Sequence, residues 1–174
     1  KEIVYYVTLT DVKDQAGYDA DMKAEQEAMN AKLEASKSVL PKIEEQMKNT
    51  LADYKSGKIK SQLITTASGL KYIVHETGSG AKAQPGQMVS VNYYGCLMDG
   101  AMFDNSFQRG QEFSFPLGQR QVIPGWDEGL ALIPSGSKAT FFIPYALAYG
   151  EAGSPPAIPA KADLAFYIEV LDVK

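Results

Sequence analysis

Thirteen aromatic side chains fall between residues 93 and 167: Tyr93, Tyr94, Phe103, Phe107, Phe113, Phe115, Trp126, Phe141, Phe142, Tyr145, Tyr149, Phe166 and Tyr167. Many of them must be core, since aromatic rings dominate burial in a small domain. Several, however, adjoin Gly or Pro at loop edges (Gly125-Trp126, Pro144-Tyr145, Tyr149-Gly150), where side chains line concave surfaces. The parts most enzymes use are missing around them. The one His, His75, lies in an early strand of this region, so no Ser-His-Asp set forms, and no pair of carboxylates stands out. With one Cys and one His, a multi-ligand Cys/His metal site is excluded. Cys96 sits in the apolar run Val91–Met98 and reads as a small buried hydrophobe. Gly78-Ser79-Gly80 has neither the Lys-Ser/Thr of a phosphate loop nor a dinucleotide pattern, and reads as a turn. What remains is aromatic surface suited to holding an apolar group.

The elements that must position these residues follow from periodicity. From Ala67 onward, short β-type runs at 70–74, 88–94, 137–143 and 162–173 alternate with Gly, Pro, Asn and Asp. A single short helix is expected near Trp126–Leu132. This predicts an α+β domain over 67–174, a twisted antiparallel sheet with one short helix. Upstream the period changes. Tyr18, Met22, Met29, Leu33, Leu40, Ile43, Met47, Leu51 and Tyr54 recur at spacings that place them on one stripe of a long helix. The expected arm covers 14–57, with Gly57 as its stop and Pro41 either kinking it or dividing it into two helices. Residues 58–66 read as a polar linker. An arm of roughly 40 residues reaches about 60 Å, too long for its own domain to cover, so a homodimer through 18–54 is expected. The alternative is a single arm lying partly on its own domain.

Composition narrows the partners. The 174 residues carry 45% apolar and 22% charged side chains and a net charge of −4, a globular balance with no basic stripe for nucleic acid. No apolar run approaches the roughly 20 residues of a membrane-spanning helix. The chain starts without Met inside an apparent strand and reads as a processed or trimmed product.

In order along the chain stand Val91-Asn92-Tyr93-Tyr94-Gly95, Phe103-Asp104-Asn105-Ser106, Phe113-Ser114-Phe115-Pro116-Leu117-Gly118, Val122-Ile123-Pro124-Gly125-Trp126-Asp127-Glu128-Gly129, Ala148-Tyr149-Gly150 and Leu164-Ala165-Phe166. This series resembles the FKBP-type peptidyl-prolyl cis-trans isomerases over about residues 68–174. The arm followed by Ala67-Ser68-Gly69-Leu70-Lys71-Tyr72 is similar to the bacterial branch with FkpA and the macrophage infectivity potentiator. The resemblance implies that Trp126 forms the floor of a prolyl pocket and that Tyr93, Phe103, Phe113, Val122, Ile123 and Phe166 form its walls. It further implies that Ile123 offers its backbone N–H to substrate, that Asp104 and the Tyr149 hydroxyl make polar contacts, and that Ile158 adds an apolar contact from the overhanging loop. Tyr93, Asp104 and Tyr149 are thereby the catalytic candidates. Asp104 could instead stabilise the turn before Asn105-Ser106. Phe115, Leu117, Phe141 and Leu164 read as plain core. Ser154 stands where the best-known members carry His, which bears on substrate preference and inhibitor affinity.

The implied partners are proline-containing polypeptides and macrolide-type inhibitors, with no cofactor and no metal, in the cell envelope or else the cytoplasm. No bond breaks in X-Pro rotation, which fits the missing nucleophile. Two rivals stay open: a chaperone module that binds polypeptides with weak or no catalysis, and a purely structural dimer. One feature lies outside the domain. The opening KEIVYYVTLTDVK echoes the closing ADLAFYIEVLDVK, with Tyr5 opposite Phe166 and Asp11-Val12-Lys13 opposite Asp172-Val173-Lys174. Residues 1–13 are therefore expected to be an isolated strand, the last of an upstream isomerase-like domain, and to pair with a sheet edge. Accidental likeness, or a strand serving this domain or a dimer mate, are the alternatives.

Overall fold

The computed structural model describes residues 15–174, so the opening strand and its expected pairing lie outside the described residues. Helix α1 (Gln15–Lys55) precedes seven strands: β1 (Ile64–Thr65), β2 (Lys71–Glu76), β3 (Met88–Leu97), β4 (Met102–Asn105), β5 (Phe113–Pro116), β6 (Lys138–Ile143) and β7 (Leu164–Val173). Helix α2 (Pro124–Leu132) lies between β5 and β6. The strands form one sheet in the order β1-β2-β6-β7-β3-β4, every pairing antiparallel. The long strand β3 has a divided outer edge: β5 pairs Met88–Val91 and β4 pairs Tyr94–Cys96. The α+β class implied by the sequence is the class observed.

Both faces of this sheet are buried, and alternation along each strand sorts the residues between two cores. Val89, Val91 and Tyr93 of β3, Phe141 and Ile143 of β6, and Leu164, Phe166 and Ile168 of β7 join Trp126 and Leu130 of α2. Phe115, Leu117, Phe141 and Leu164 are at most 1% exposed on this side, as plain core. The intervening residues Tyr94, Cys96, Phe142, Ala165 and Tyr167 meet Ile43, Met47 and Leu51 of α1. Two-sided burial explains why Phe141-Phe142-Ile143 and Leu164-Ala165-Phe166-Tyr167-Ile168 read as continuous apolar runs rather than as alternating ones.

Of the two arrangements left open at Pro41, the structure has one helix, continuous through the proline. Pro41 is on the exposed side. The carbonyl it leaves without an intrahelical partner therefore faces water, which lowers the penalty. The C-terminal part of the stripe is covered by the chain's own sheet: Ile43, Met47 and Leu51 are buried, and Tyr54 stacks on Phe142 at 4.0 Å between centroids. The N-terminal part is not, with Tyr18 57% and Met29 66% exposed. Residues 58–66 pack onto the domain, where Ile59 is buried with the arm-side cluster and Ile64 and Thr65 pair with Tyr72 and Lys71.

Met47 is 1% exposed and its Sδ lies 3.8 Å from Thr140 Oγ1 in the middle of the sheet. Met47→Ala is expected to lower unfolding stability by about 2–4 kcal/mol in urea titrations with the m-value unchanged. A loss below about 0.5 kcal/mol, the size of a surface substitution, would mean the arm does not pack on the sheet.

Candidate functional site

A cavity of about 300 Å³ opens between the α2 side of the sheet and the loops above it, lined by Tyr93, Phe103, Asp104, Phe113, Gln121, Val122, Ile123, Trp126, Tyr149 and Phe166. Its size suits a small ring with its flanking bonds. Trp126 is in the first turn of α2, where Pro124 at the start and Ile123 as an extended N-cap set the direction of the helix. The Asp127 carboxylate accepts the Gly118 and Arg120 N–H groups at 2.8 and 3.2 Å, which ties the preceding loop to the helix.

Aromatic rings surround the indole edge to face. Tyr93 stands 5.1 Å from it at 79°, Phe166 5.2 Å at 84° and Phe113 6.2 Å at 67°. Phe103 in turn meets Phe166 at 5.5 Å. These are the favoured offset and T-shaped geometries, and they hold the wall rings in place. Phe103 and Phe166 come from β4 and β7, on opposite sides of β3, and they can approach because Gly95 lies between them. A Cβ there would fall 2.6 Å from Phe166 Cε1 and 2.9 Å from Phe103. Trp126 is 4% exposed, and its Nε1 is the buried side-chain polar atom without a hydrogen-bond partner among the described residues. The floor is therefore a buried, apolar ring.

The polar side of the cavity is a closed set of three residues. The Tyr93 hydroxyl donates to Asp104 Oδ2, Arg109 Nη1 donates to Asp104 Oδ1 at 2.6 Å, and Arg109 Nη2 donates to the Tyr93 hydroxyl at 2.7 Å. The guanidinium also sits 5.5 Å from the Tyr93 ring centroid, a cation–π placement. Burial, and then the Asp104 hydrogen bond, push the Tyr93 phenol up to about 12. Burial opposes charge on Arg109, but its bonds to Asp104 and Tyr93 raise it above its ordinary value. Tyr149 is raised by burial first and by the Asp104 charge second. Among the described residues its hydroxyl makes no hydrogen bond to protein, and no carbonyl takes up the Ile123 N–H. Two donors thus stand free at the rim of an apolar cavity, with neutral phenols and a paired carboxylate beside them. Such a site can hold an apolar ring and direct hydrogen bonds at flanking carbonyls.

The structure brings Tyr93, Phe103, Asp104, Phe113, Val122, Ile123, Trp126, Tyr149 and Phe166 to one cavity. Ile158 is elsewhere: it is 4% exposed, packed in the α2-side core, with its N–H and carbonyl both bonded to Ser154. Two participants carried no readable signal. Gln121 is a polar residue in a loop, and Arg109 looks like any surface cation until the turn at 105–108 folds it back on Asp104, five residues earlier. Three clefts among the described residues are larger: those of about 540 and 470 Å³ lie between α1 and the domain, and one of about 490 Å³ is lined by Lys32, Arg109, Gln111, Glu112, Phe113 and Ser114.

Residues 79–171 match the sequence pattern of the FKBP-type peptidyl-prolyl cis-trans isomerases. The chain is 40% identical over 177 residues to the FKBP-type peptidyl-prolyl cis-trans isomerase FkpA of Aeromonas hydrophila, covering 97% of this chain and 64% of that protein. It is 51% identical over 92 residues to FK506-binding protein 2 of Debaryomyces hansenii, covering 53% of this chain and 67% of that one. Among solved structures, FkpA from Escherichia coli superposes with a TM-score of 0.64 at 39% identity, over 90% of this chain and 73% of that chain. The chain therefore spans about two thirds of the Aeromonas relative's length.

The Tyr93 environment has a titration signature. A phenol raised in the folded state contributes stability that is full below its unfolded value and is lost as pH rises through about 12. Tyrosine ring-carbon NMR should show Tyr93 ionising near that value, and Asp104→Asn should bring it down toward the ordinary phenol range. A Tyr93 that titrates near 10 in the parent chain would contradict the burial of its phenol beside Asp104.

Proposed function

Since the chain belongs to the FKBP-type peptidyl-prolyl cis-trans isomerase family, we propose that it accelerates X-Pro isomerisation in polypeptides at the aromatic cavity. The observation that carries this reading is the aromatic cavity itself, an indole floor ringed by Tyr93, Phe103, Phe113 and Phe166 with two free donors at its rim. Rotation about an X-Pro bond meets a barrier of roughly 18–20 kcal/mol because amide resonance is lost at the twisted geometry. The twisted amide has less charge separation than the planar one, so moving the bond from water to an apolar site lowers the barrier. The prolyl ring packs on Trp126. The Ile123 N–H and the Tyr149 hydroxyl hold flanking carbonyls in the twisted arrangement, which makes their hydrogen bonds strongest at the transition state. Asp104 and Arg109 keep the Tyr93 wall in place. No bond is made or broken, and no proton moves.

On this reading residues 67–174 are the isomerase domain and residues 14–57 an arm serving assembly. The exposed stripe of Tyr18, Met22 and Met29 supports a homodimer through the N-terminal part of the arm, and a clasp of two such chains would add chaperone-like holding of clients. Among the described residues no helix is long and apolar enough to cross a membrane. Likeness to the bacterial FkpA proteins supports a place in the cell envelope. FK506 and related macrolides are expected to compete for the cavity, as the name of the Debaryomyces relative indicates for that protein.

In a protease-coupled assay on a short proline peptide, Asp104→Ala is expected to lower kcat/KM about tenfold and Tyr149→Phe about fivefold, the loss of one hydrogen bond or its support. FK506 should inhibit, and kcat/KM should be flat from about pH 7 to 9, where burial keeps both phenols neutral. A parent chain as inert as Asp104→Ala, but still suppressing aggregation, would leave the polypeptide-binding reading in its place. Sedimentation checks the arm: Met22→Lys with Met29→Lys should give a monomer from a dimer, and a monomeric parent would remove the clasp.

A further inference from the structure

The short 3-10 turn Phe107–Arg109 has two sides that belong to different parts of the molecule. On one side Arg109 reaches the cavity and bonds both Asp104 and Tyr93. On the other, Phe107 is 1% exposed in the arm-side core with Ile43 and Met47. The turn closes at Gly110, whose φ of 62° lets its N–H return to the Phe107 carbonyl at 3.2 Å. There the arm lies directly against it: a Cβ on Gly110 would fall 2.6 Å from Leu33 Cα and 2.9 Å from Leu33 Cδ1. The backbone of α1 makes its main close approach to the domain at this turn rather than at any strand. Lys32 and Glu112, 3.8 Å apart, add an exposed tie beside it. The turn is also fixed to Tyr93, since the Ser106 N–H donates to the Tyr93 carbonyl and the Tyr93 N–H to Ser106 Oγ, each at 3.0 Å.

We propose that the helical arm is part of the isomerase site at one remove, with Leu33 and Phe107 as positioning residues that seat the 107–110 turn and thereby place Arg109 on Asp104 and Tyr93. This rests on the isomerase reading of the cavity. The physical logic is that Arg109 is a half-exposed, flexible side chain whose two hydrogen bonds depend on where its backbone stands. The backbone is wedged between the cavity wall and the arm. A shift of the arm moves the turn, and the turn carries the only cation that bonds Asp104 among the described residues. Isomerase activity therefore responds to what holds the arm, including a partner along its length.

The test uses the full chain and the half-buried Leu33, whose truncation leaves the core intact. Leu33→Ala is expected to lower kcat/KM on a short proline peptide about threefold to tenfold, through kcat more than KM, as for displacement of a catalytic constellation from a distance. Leu33→Met, which conserves volume, should restore it. In an Arg109→Ala background, Leu33→Ala should have no further effect, because both act through the same contact. Leu33→Ala with parent kcat/KM, or with the same loss in both backgrounds, overturns the proposal. Should the parent itself prove inert, the isomerase reading fails separately. The positioning claim is then decided by NMR of the Arg109 guanidinium: slow rotation in the parent and release in Leu33→Ala support it, and slow rotation in both overturns it.

Discussion

A sheet with apolar side chains on both faces has to be covered twice, and the rest of this molecule follows from how that is done. One face carries Val91, Tyr93, Phe141, Phe166 and Ile168, the other Tyr94, Cys96, Phe142 and Tyr167. Each large side chain left in water would forfeit about 1.5–3 kcal/mol, so neither face can stay open. The first is covered by α2, nine residues long, which is too short to reach across a sheet whose central strands have ten. The uncovered end of that face is the cavity. The second face is covered by the C-terminal third of α1. Site and arm are thus the two solutions to one burial problem, set on opposite sides of the same strands.

On the proposed reading the cavity can serve as a site because its rings and its charges are each locked by neighbours. The rings hold one another in edge-to-face contacts around Trp126, and Gly95 gives Phe103 and Phe166 the space to meet. Tyr93, Asp104 and Arg109 are bonded to one another, which fixes the polar wall. Among the described residues, the Ile123 N–H and the Tyr149 hydroxyl stay without a protein partner at the cavity. Preorganised donors around an aromatic-lined volume can stabilise a twisted amide, whose formation requires loss of resonance and no chemistry at a side chain.

Much of this was legible beforehand, for reasons that can be named. The strands at 70–74, 88–94, 137–143 and 162–173 announced themselves because two-sided burial makes their runs strongly apolar, and the α1 stripe because its period holds for ten turns. Nine cavity residues could be chosen because the motif series resembles the FKBP-type family, with Phe103 beside Asp104, Ile123 beside Pro124, Trp126 beside Gly125 and Tyr149 beside Gly150 as landmarks. Local pattern failed where tertiary contact decides. The two-residue strand β1 is too short to carry a period, and it lay in what read as a polar linker. Ile158, expected from its loop as an apolar contact, is buried in the cluster that holds Tyr93, Trp126 and Phe166 and does not line the cavity. Arg109 and Gly110 matter through contacts to Asp104 and Leu33, one across a turn and the other 77 residues away, and neither distance is visible in a linear pattern. Pro41 left one helix or two open, and the structure has the one-helix alternative, with the proline on the exposed side.

The central claim is that the aromatic cavity lowers the rotation barrier of a bound X-Pro bond without covalent help. NMR exchange spectroscopy on a short proline peptide at equilibrium tests it directly, since cis and trans signals report the rate with no coupling protease. With the chain present at a small fraction of the peptide, exchange should pass from its uncatalysed scale of tens of seconds to well under a second, and excess FK506 should return it to the uncatalysed rate. Peptide signals that shift on binding while the exchange rate stays uncatalysed would show a cavity that holds proline without turning it, and would contradict the account.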